Sequence, residues 1–182
     1  MRENKGVTMV VLVITIIVLL IIAGISVGTG NKMVKQSELE NIKTNMLLIE
    51  VKAKEYVENA NFNIGTAFDK VTNATEKSNR INKAKEQLKG TEVTDANVFN
   101  GNIGITATQI QEDNAKLVFY YKLPTEELID IGLSNVESNE EMGWYIVKYD
   151  VKNVEVEIYN TVGFQHEKTV YYSLSELENL NV

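Results

Sequence analysis

The side chains that most often perform catalysis are scarce in this chain. Its single histidine is His166, and it contains no cysteine, so sites with several imidazole ligands, thiol chemistry and disulfides are excluded. No serine–histidine–acid spacing accompanies His166, and neither a glycine-rich phosphate loop nor a dinucleotide fingerprint is present. The sequence therefore predicts a protein that is not an enzyme and needs no cofactor, with His166 in a loop between strands.

Acidic residues around Asp95 and Glu140 could offer oxygen ligands to a cation such as calcium. Neither cluster follows the twelve-residue calcium-binding loop, so we expect solvated acidic loops and no metal site. Every tyrosine except Tyr56 lies after residue 119, where aromatic rings could stack on bases. The formal net charge of −7 disfavours a nucleic-acid partner, so we expect these rings to pack within a sheet.

The most distinctive chemical feature is a junction near the N-terminus. The charged stub "MRENKG" runs directly into residues 7–27, which carry no charged side chain. At 1.5 Å per residue this apolar run forms a helix of about 31 Å, which matches the hydrocarbon thickness of a bilayer. We therefore predict a membrane-spanning helix with a cytoplasmic N-terminus and the remaining chain outside.

Beyond this run, apolar residues recur at alternating spacings of three and four, which places them along one side of a helix. No proline or glycine between Asn31 and Asn61 interrupts the pattern. We predict an amphipathic continuation of the helix that packs on a domain, with a coiled-coil stalk as the alternative. The predicted buried stripe comprises Leu39, Ile42, Met46, Ile49, Ala53, Tyr56 and Ala60, and the opposite side carries Glu40, Lys43, Asn45, Lys52, Lys54 and Glu58.

In the C-terminal third the apolar period changes from 3.6 to 2. Segments rich in β-branched and aromatic residues begin at Lys116, Gly143, Val154 and Thr169. They predict a four-stranded antiparallel sheet that has one solvent-exposed face, with a hairpin turn at 150–153. We expect the amphipathic helix to cover the apolar face of this sheet, which gives an α+β fold.

The segments between the helix and the strands are less regular. Residues 62–90 predict a short helix that ends at Gly90, and residues 91–114 predict a loop with one strand. After Pro124, "PTEELIDIGL" predicts one or two helical turns.

The stretch "NKGVTMVVLVITIIVLLIIAGISV" resembles the processing signal of type IV prepilins and type II secretion pseudopilins: a charged leader ending in Lys5-Gly6, a hydrophobic residue, Thr8 and an unbroken apolar helix. The resemblance implies that a prepilin peptidase cleaves between Gly6 and Val7 and methylates Val7. It also implies the type IV pilin-like fold, a long N-terminal helix with a membrane-spanning first half packed on a small antiparallel β-sheet. The implied organisation is a leader at 1–6, a transmembrane and filament-core helix at 7–30, its amphipathic continuation at 31–61, a variable region at 62–115 and a sheet domain at 116–182.

The usual mid-helix proline of the family is absent, and one further position departs from the family pattern in an important way. The fifth residue of the mature chain is usually Glu, which is thought to pair with a neighbour's amino terminus, and here it is Val11. The resemblance therefore implies a structural subunit of a type IV pilus-like or type II secretion-like filament, as a minor pilin or pseudopilin. The implied partners are prepilin peptidase, other pilin-like subunits, a membrane assembly platform and membrane lipid.

The implied location is the cytoplasmic membrane before assembly and an extracellular filament afterwards. Two alternatives remain open. The chain could be a single-pass membrane-anchored extracellular binding or sensor module that does not polymerise, or a secreted protein cut near Ser26.

Overall fold

The computed structural model describes the backbone of residues 5–99 and 101–180 and the side chains of residues 33–99 and 101–180. The chain divides into two units, with the division between Glu40 and Asn41. The first unit contains the N-terminal part of helix α1, and the second contains the rest of α1 and the sheet.

Helix α1 (Lys5–Ile64) runs without a break. It ends where Gly65 adopts a left-handed conformation, with φ +74, and donates its N–H to the Asn61 carbonyl at 3.3 Å. The elements that follow are the 3₁₀ turn Phe68–Lys70, α2 (Ala74–Lys85), β1 (Thr91–Glu92), the 3₁₀ turn Ala96–Phe99, α3 (Ala107–Ala115), β2 (Val118–Leu123), α4 (Thr125–Asp130), β3 (Tyr145–Asp150), β4 (Glu155–His166), β5 (Thr169–Ser173) and α5 (Leu174–Glu178).

The five strands form one antiparallel sheet in the order β1-β2-β3-β4-β5, so each strand pairs with the next one along the chain. The four predicted strands, the β3–β4 hairpin and the helix after Pro124 are confirmed. The sheet has one strand more than the predicted four, because the strand predicted in 91–114 is the two-residue β1, which pairs with β2.

Residues that pair directly across antiparallel strands lie on the same face of a sheet. The register Tyr121↔Val147↔Ile158 therefore defines one face, which we call the α1 face. The register Tyr120↔Lys148↔Glu157 defines the other, which we call the α3 face.

Residues 41–64 of α1 cover the α1 face. Met46, Ile49 and Val57 are fully buried, and Asn61 donates an amide hydrogen bond to the Val151 carbonyl at 2.7 Å. The predicted stripe is confirmed, with Ile42 and Tyr56 half-buried at its margins. The placement of Asn45 on the opposite side is wrong, because its half-buried side chain approaches the Tyr145 hydroxyl between the helix and the sheet.

The prediction of one solvent-exposed face is wrong over part of the α3 face. Phe99 and Ile110 pack there against Tyr120 and Ile146 in a second hydrophobic cluster. Segment 91–114 therefore contains the predicted strand, β1, but also a helix, α3, that its polar composition concealed.

Helix α2 confirms the predicted short helix but not its end. It stops at Lys85 rather than at Gly90. Gly90 has φ +107 and passes so close to β2 that an added Cβ would lie 2.6 Å from the Lys122 carbonyl oxygen. This glycine is required by close backbone approach and not by the end of a helix.

Candidate functional site

The predicted processing site lies at the start of α1. Gly6, Val7 and Val11 fall within the backbone range of that helix, and their side chains lie outside the described residues. Cleavage after Gly6, methylation of Val7 and the consequence of Val11 therefore stay predictions. Across residues 33–99 and 101–180, no helix is apolar over a length that would cross a membrane.

The residues considered for metal binding or acid–base chemistry are His166, Asp95 and Glu140, and they do not form a common site among the described residues. His166 is the last residue of β4 and pairs with Thr169 across a tight turn, so it lies at a strand end and not within a loop. Asp95 accepts hydrogen bonds from the backbone and the side chain of Asn97. Glu140 is exposed, and the described residues contain no group of three metal-ligating side chains.

A polar area remains uncovered on the α3 face near the β3–β4 turn. The register places Lys148 opposite Glu157 and Asp150 opposite Glu155. We call these four residues the acidic area, since three carboxylates accompany one ammonium group. They line a pocket of about 200 Å³ together with Tyr159.

Local hydrogen bonds fix two of these carboxylates. Asp150 accepts the backbone N–H of Asn153 at 2.9 Å and its side-chain amide at 2.8 Å, which closes the hairpin turn. Glu157 accepts the backbone N–H of Ser175 at 3.1 Å. Among the described residues no ion pair engages Lys148 or any of the three carboxylates, so the area has an excess of negative charge.

Tyr159 separates this pocket from a second one of about 420 Å³, which is also lined by Tyr172 and Glu176. Burial, followed by the charges of Glu157, Glu176 and Asp113, raises the pKa of Tyr159 to about 12. Its phenol therefore stays protonated at neutral pH and can donate a hydrogen bond between acceptor carboxylates. The arrangement suits recognition of cationic or hydrogen-bonding groups rather than covalent chemistry.

Glu176 reaches this position through a capping box at the start of α5. Its side chain accepts the backbone N–H groups of Tyr172 and Ser173, while the Ser173 hydroxyl accepts the backbone N–H of Glu176. The spacing Ser-x-x-Glu is readable in the sequence and would have located this turn. The alternation of Glu155 and Glu157 predicts polar side chains here and, two residues further along the strand, Tyr159 lies on the same face; no local pattern indicated that Glu176 and Asp113 lie near it.

No family model, no curated protein and no solved structure matches this chain. The resemblance to prepilins therefore depends on the N-terminal residues alone, and the structure shows an α+β architecture in which a long helix packs on an antiparallel sheet.

Proposed function

We propose that the protein is a structural subunit of a type IV pilus-like or type II secretion-like filament. In this proposal it is cut between Gly6 and Val7 and assembles through its N-terminal helix, as a minor pilin or pseudopilin. Such a role requires no catalysis by the subunit itself.

The observation that carries the proposal is the continuity of α1. One helix extends from the apolar run at 7–27 to Ile64. Its residues 41–64 are anchored on the sheet by the buried side chains of Met46, Ile49 and Val57. A subunit of this kind combines an apolar helical segment for lateral packing with a small domain in the same chain.

The apolar segment at 7–27 determines the energetics of assembly. Lipid tails are as apolar as neighbouring helices, so transfer from the bilayer to a filament gains tight packing rather than a hydrophobic driving force. Assembly therefore needs close helix contact and an external motor. Val11 removes the carboxylate that, by resemblance, neutralises a neighbour's amino terminus, which favours a minor subunit over a main filament component.

The junction itself provides the test. The protein would be isolated from its native cell envelope and its N-terminus determined by intact mass and peptide mapping. We expect a chain that begins at methylated Val7. Gly6→Leu should abolish this cleavage, because a bulky side chain replaces the residue at the implied cut. Gly24→Leu serves as the matched control, since it adds the same bulk within the apolar run and leaves the junction intact.

Retention of Met1 in the native protein would contradict the proposal and favour the membrane-anchored module. A mature N-terminus near Ser26 would instead indicate a secreted protein. Equal processing of the Gly6→Leu variant and the parent chain would also overturn the proposed cleavage site.

A further inference from the structure

The pocket that Tyr159 shares with Tyr172 has a lining different from that of the acidic area, and we call it the tyrosine pocket. It lies where β4, β5, α5 and the loop before α3 meet, and its volume is about 420 Å³. Small-molecule sites occupy about 300–1,000 Å³, so the tyrosine pocket is large enough for a ligand of one or two rings. Its lining consists of Asn102, Ile103, Tyr159, Val170, Tyr172, Ser173, Ser175 and Glu176.

Two tyrosine rings supply the aromatic surface of this pocket. Tyr159 and Tyr172 are both half-buried, so packing supports each side chain while part of it stays accessible. The ring of Tyr172 lies against Gly163, because a Cβ at that glycine would be 2.8 Å from the ring atom Cδ1. Ile103 and Val170 extend the apolar part of the lining. A surface of this kind contacts the C–H groups of a ligand rather than a fully hydrated group.

The tyrosine pocket also contains hydrogen-bonding groups that the chain itself does not use. Within residues 33–99 and 101–180, no hydrogen bond engages the hydroxyls of Tyr159 and Tyr172 or the side-chain amide of Asn102. A phenol both donates and accepts hydrogen bonds, and an amide offers a donor group beside an acceptor. The pocket therefore combines aromatic rings with groups that can both donate to and accept from a ligand.

Charge separates the classes of ligand that such a lining could bind. None of the described residues that line the pocket is basic, and the chain has a net charge of −7, so a phosphate or another anion is repelled. Glu176 is the acid of the lining, and its carboxylate already accepts the backbone N–H groups of Tyr172 and Ser173. These two bonds reduce the attraction of the carboxylate for a cation. The lining is therefore best matched to a neutral ligand.

We propose that the tyrosine pocket binds a neutral carbohydrate. A sugar ring has an apolar C–H face and a rim of hydroxyl groups that both donate and accept. The Tyr172 ring would contact the apolar face, and the Asn102 amide and the Tyr159 hydroxyl would bind hydroxyl groups. This function goes beyond filament assembly and does not depend on it, since a membrane-anchored module could bind a sugar in the same way.

The test is a binding measurement on the purified full-length chain. A zwitterionic detergent is required, because a detergent with a sugar head group would compete for the pocket. The probes are arrayed neutral oligosaccharides that end in glucose, galactose, mannose or N-acetylglucosamine. We expect binding to at least one of them, with competition by the same oligosaccharide in solution. Absence of binding to every probe by a chain that remains folded would overturn the proposal.

Substitution of Tyr172 tests the aromatic contact. Tyr172→Ala should weaken binding of the best probe about ten-fold, because stacking on an aromatic side chain contributes a factor of this order. Tyr172→Phe keeps the ring and should retain most of the affinity. Tyr171→Ala is the matched control, since Tyr171 is also half-buried in β5 but is not among the lining residues, and successive side chains of a strand point to opposite faces. Equal losses in Tyr172→Ala and Tyr171→Ala would overturn the assignment of the sugar to this pocket.

Asn102→Ala gives an independent test that does not disturb the sheet. Asn102 is exposed and precedes α3, so this variant should unfold like the parent chain. We expect about five-fold weaker binding of the probe, as the amide supplies both a donor and an acceptor. Unchanged affinity would contradict the proposed arrangement, whatever the stability of the Tyr172→Ala variant.

Glu176→Gln separates a neutral ligand from a charged one. Glutamine also completes the capping box, so the turn is retained while the charge is removed. Binding of a neutral sugar should change by no more than about two-fold, since only the charge differs between the two side chains. Complete loss of binding would show that charge holds the probe and would overturn the neutral-ligand assignment.

The outcomes distinguish this inference from the proposed function. A chain that retains Met1 but binds a sugar probe through Tyr172 would overturn the filament role and support the tyrosine pocket. A chain that begins at methylated Val7 and binds none of the probes would overturn the pocket and leave the filament role in place.

Discussion

The two faces of the sheet are built from similar strands but are covered differently. On the α1 face Val147 and Tyr149 are almost completely buried beneath α1, and the Tyr149 hydroxyl also donates a hydrogen bond to the Lys89 carbonyl in the segment after α2. On the α3 face the short helix α3 covers Tyr120 and Ile146, while Lys148 stays half-exposed. Burial along β3 is therefore determined by the helix that lies over each residue and not by strand composition alone.

The polar contacts differ in the same way. The helix over the α1 face is attached by neutral groups, such as the Asn61 amide on the Val151 carbonyl. The helix over the α3 face is attached by a carboxylate, because Asp113 accepts the Tyr120 hydroxyl at 2.6 Å and the Gln109 amide at 2.8 Å. We expect the first attachment to depend mainly on packing and the second to depend more on hydrogen bonding.

The largest expected effect concerns packing on the α1 face. Ile49→Ala removes a fully buried side chain and leaves a cavity between α1 and the sheet, which should lower the free energy of unfolding by about 2–5 kcal/mol. The measurement is denaturant unfolding of the purified full-length chain in detergent. Val51→Ala is the control, because Val51 is 67% exposed on the same helix and its loss should change stability by no more than about 0.5 kcal/mol. Equal effects would mean that α1 does not cover this face.

A second prediction concerns the edge of the α1 face, where β3 begins. A Cβ at Gly143 would lie 2.3 Å from the side-chain oxygen of Asn160. That oxygen accepts the backbone N–H groups of Val162 and Gly163, which shape the bulge in β4. Gly143→Ala should therefore lower the unfolding free energy by about 3 kcal/mol, as backbone strain and disrupted hydrogen bonds combine.

Gly132→Ala isolates the backbone contribution. Gly132 has φ +87, close to the +86 of Gly143, but no atom lies within 4 Å of its added Cβ. We expect a loss of about 1 kcal/mol from the left-handed conformation alone. Similar melting temperatures for the two variants would show that Asn160 yields without loss of its hydrogen bonds.

The sequence predicted the α1 face better than the α3 face for a physical reason. Helical spacing in 39–60 and alternation in the strands are local patterns, and each reports which side of its element is buried. Helix α3 escaped prediction because Ile110 is its only buried apolar residue and its other buried side chain is Asp113. The burial of Asp113 could be predicted only if its hydrogen-bond partner, Tyr120, were already known.

The candidate site shows the same limit. The exposure of Glu155 and Glu157 to solvent follows from the alternation of apolar and acidic residues along one strand. The environment of Tyr159 depends on Glu176, which is brought there by the β4–β5 pairing and the capping box of α5, and on Asp113 from α3. Contacts between segments distant in sequence leave no local pattern that a single sequence could display.

A third and smaller effect is expected at the carboxylate of the α3 face. Asp113→Asn keeps the shape of the side chain but replaces a charge-assisted hydrogen bond to Tyr120 by a neutral one, so we expect a loss of about 1–2 kcal/mol. Glu112→Gln is the control, since Glu112 is the adjacent exposed acid on α3. Thermal unfolding of the two variants checks the difference. A neutral result for Asp113→Asn would show that packing by Phe99 and Ile110 alone holds this face.

The smallest change in the free energy of unfolding at neutral pH is expected for a substitution of Tyr159. This change becomes large only at alkaline pH. The folded pKa of about 12 exceeds the ordinary value of 10, so folding favours the protonated phenol. This contribution is complete below pH 10 and is lost progressively as pH rises to about 12, because the unfolded chain releases its proton first. Tyr159→Phe should match the parent near pH 7 and show a shallower fall of stability between pH 10 and 12, measured by denaturant unfolding at each pH. Parallel pH profiles would show that Tyr159 is not held among the carboxylates, and the two sheet faces would then differ in cover but not in electrostatics.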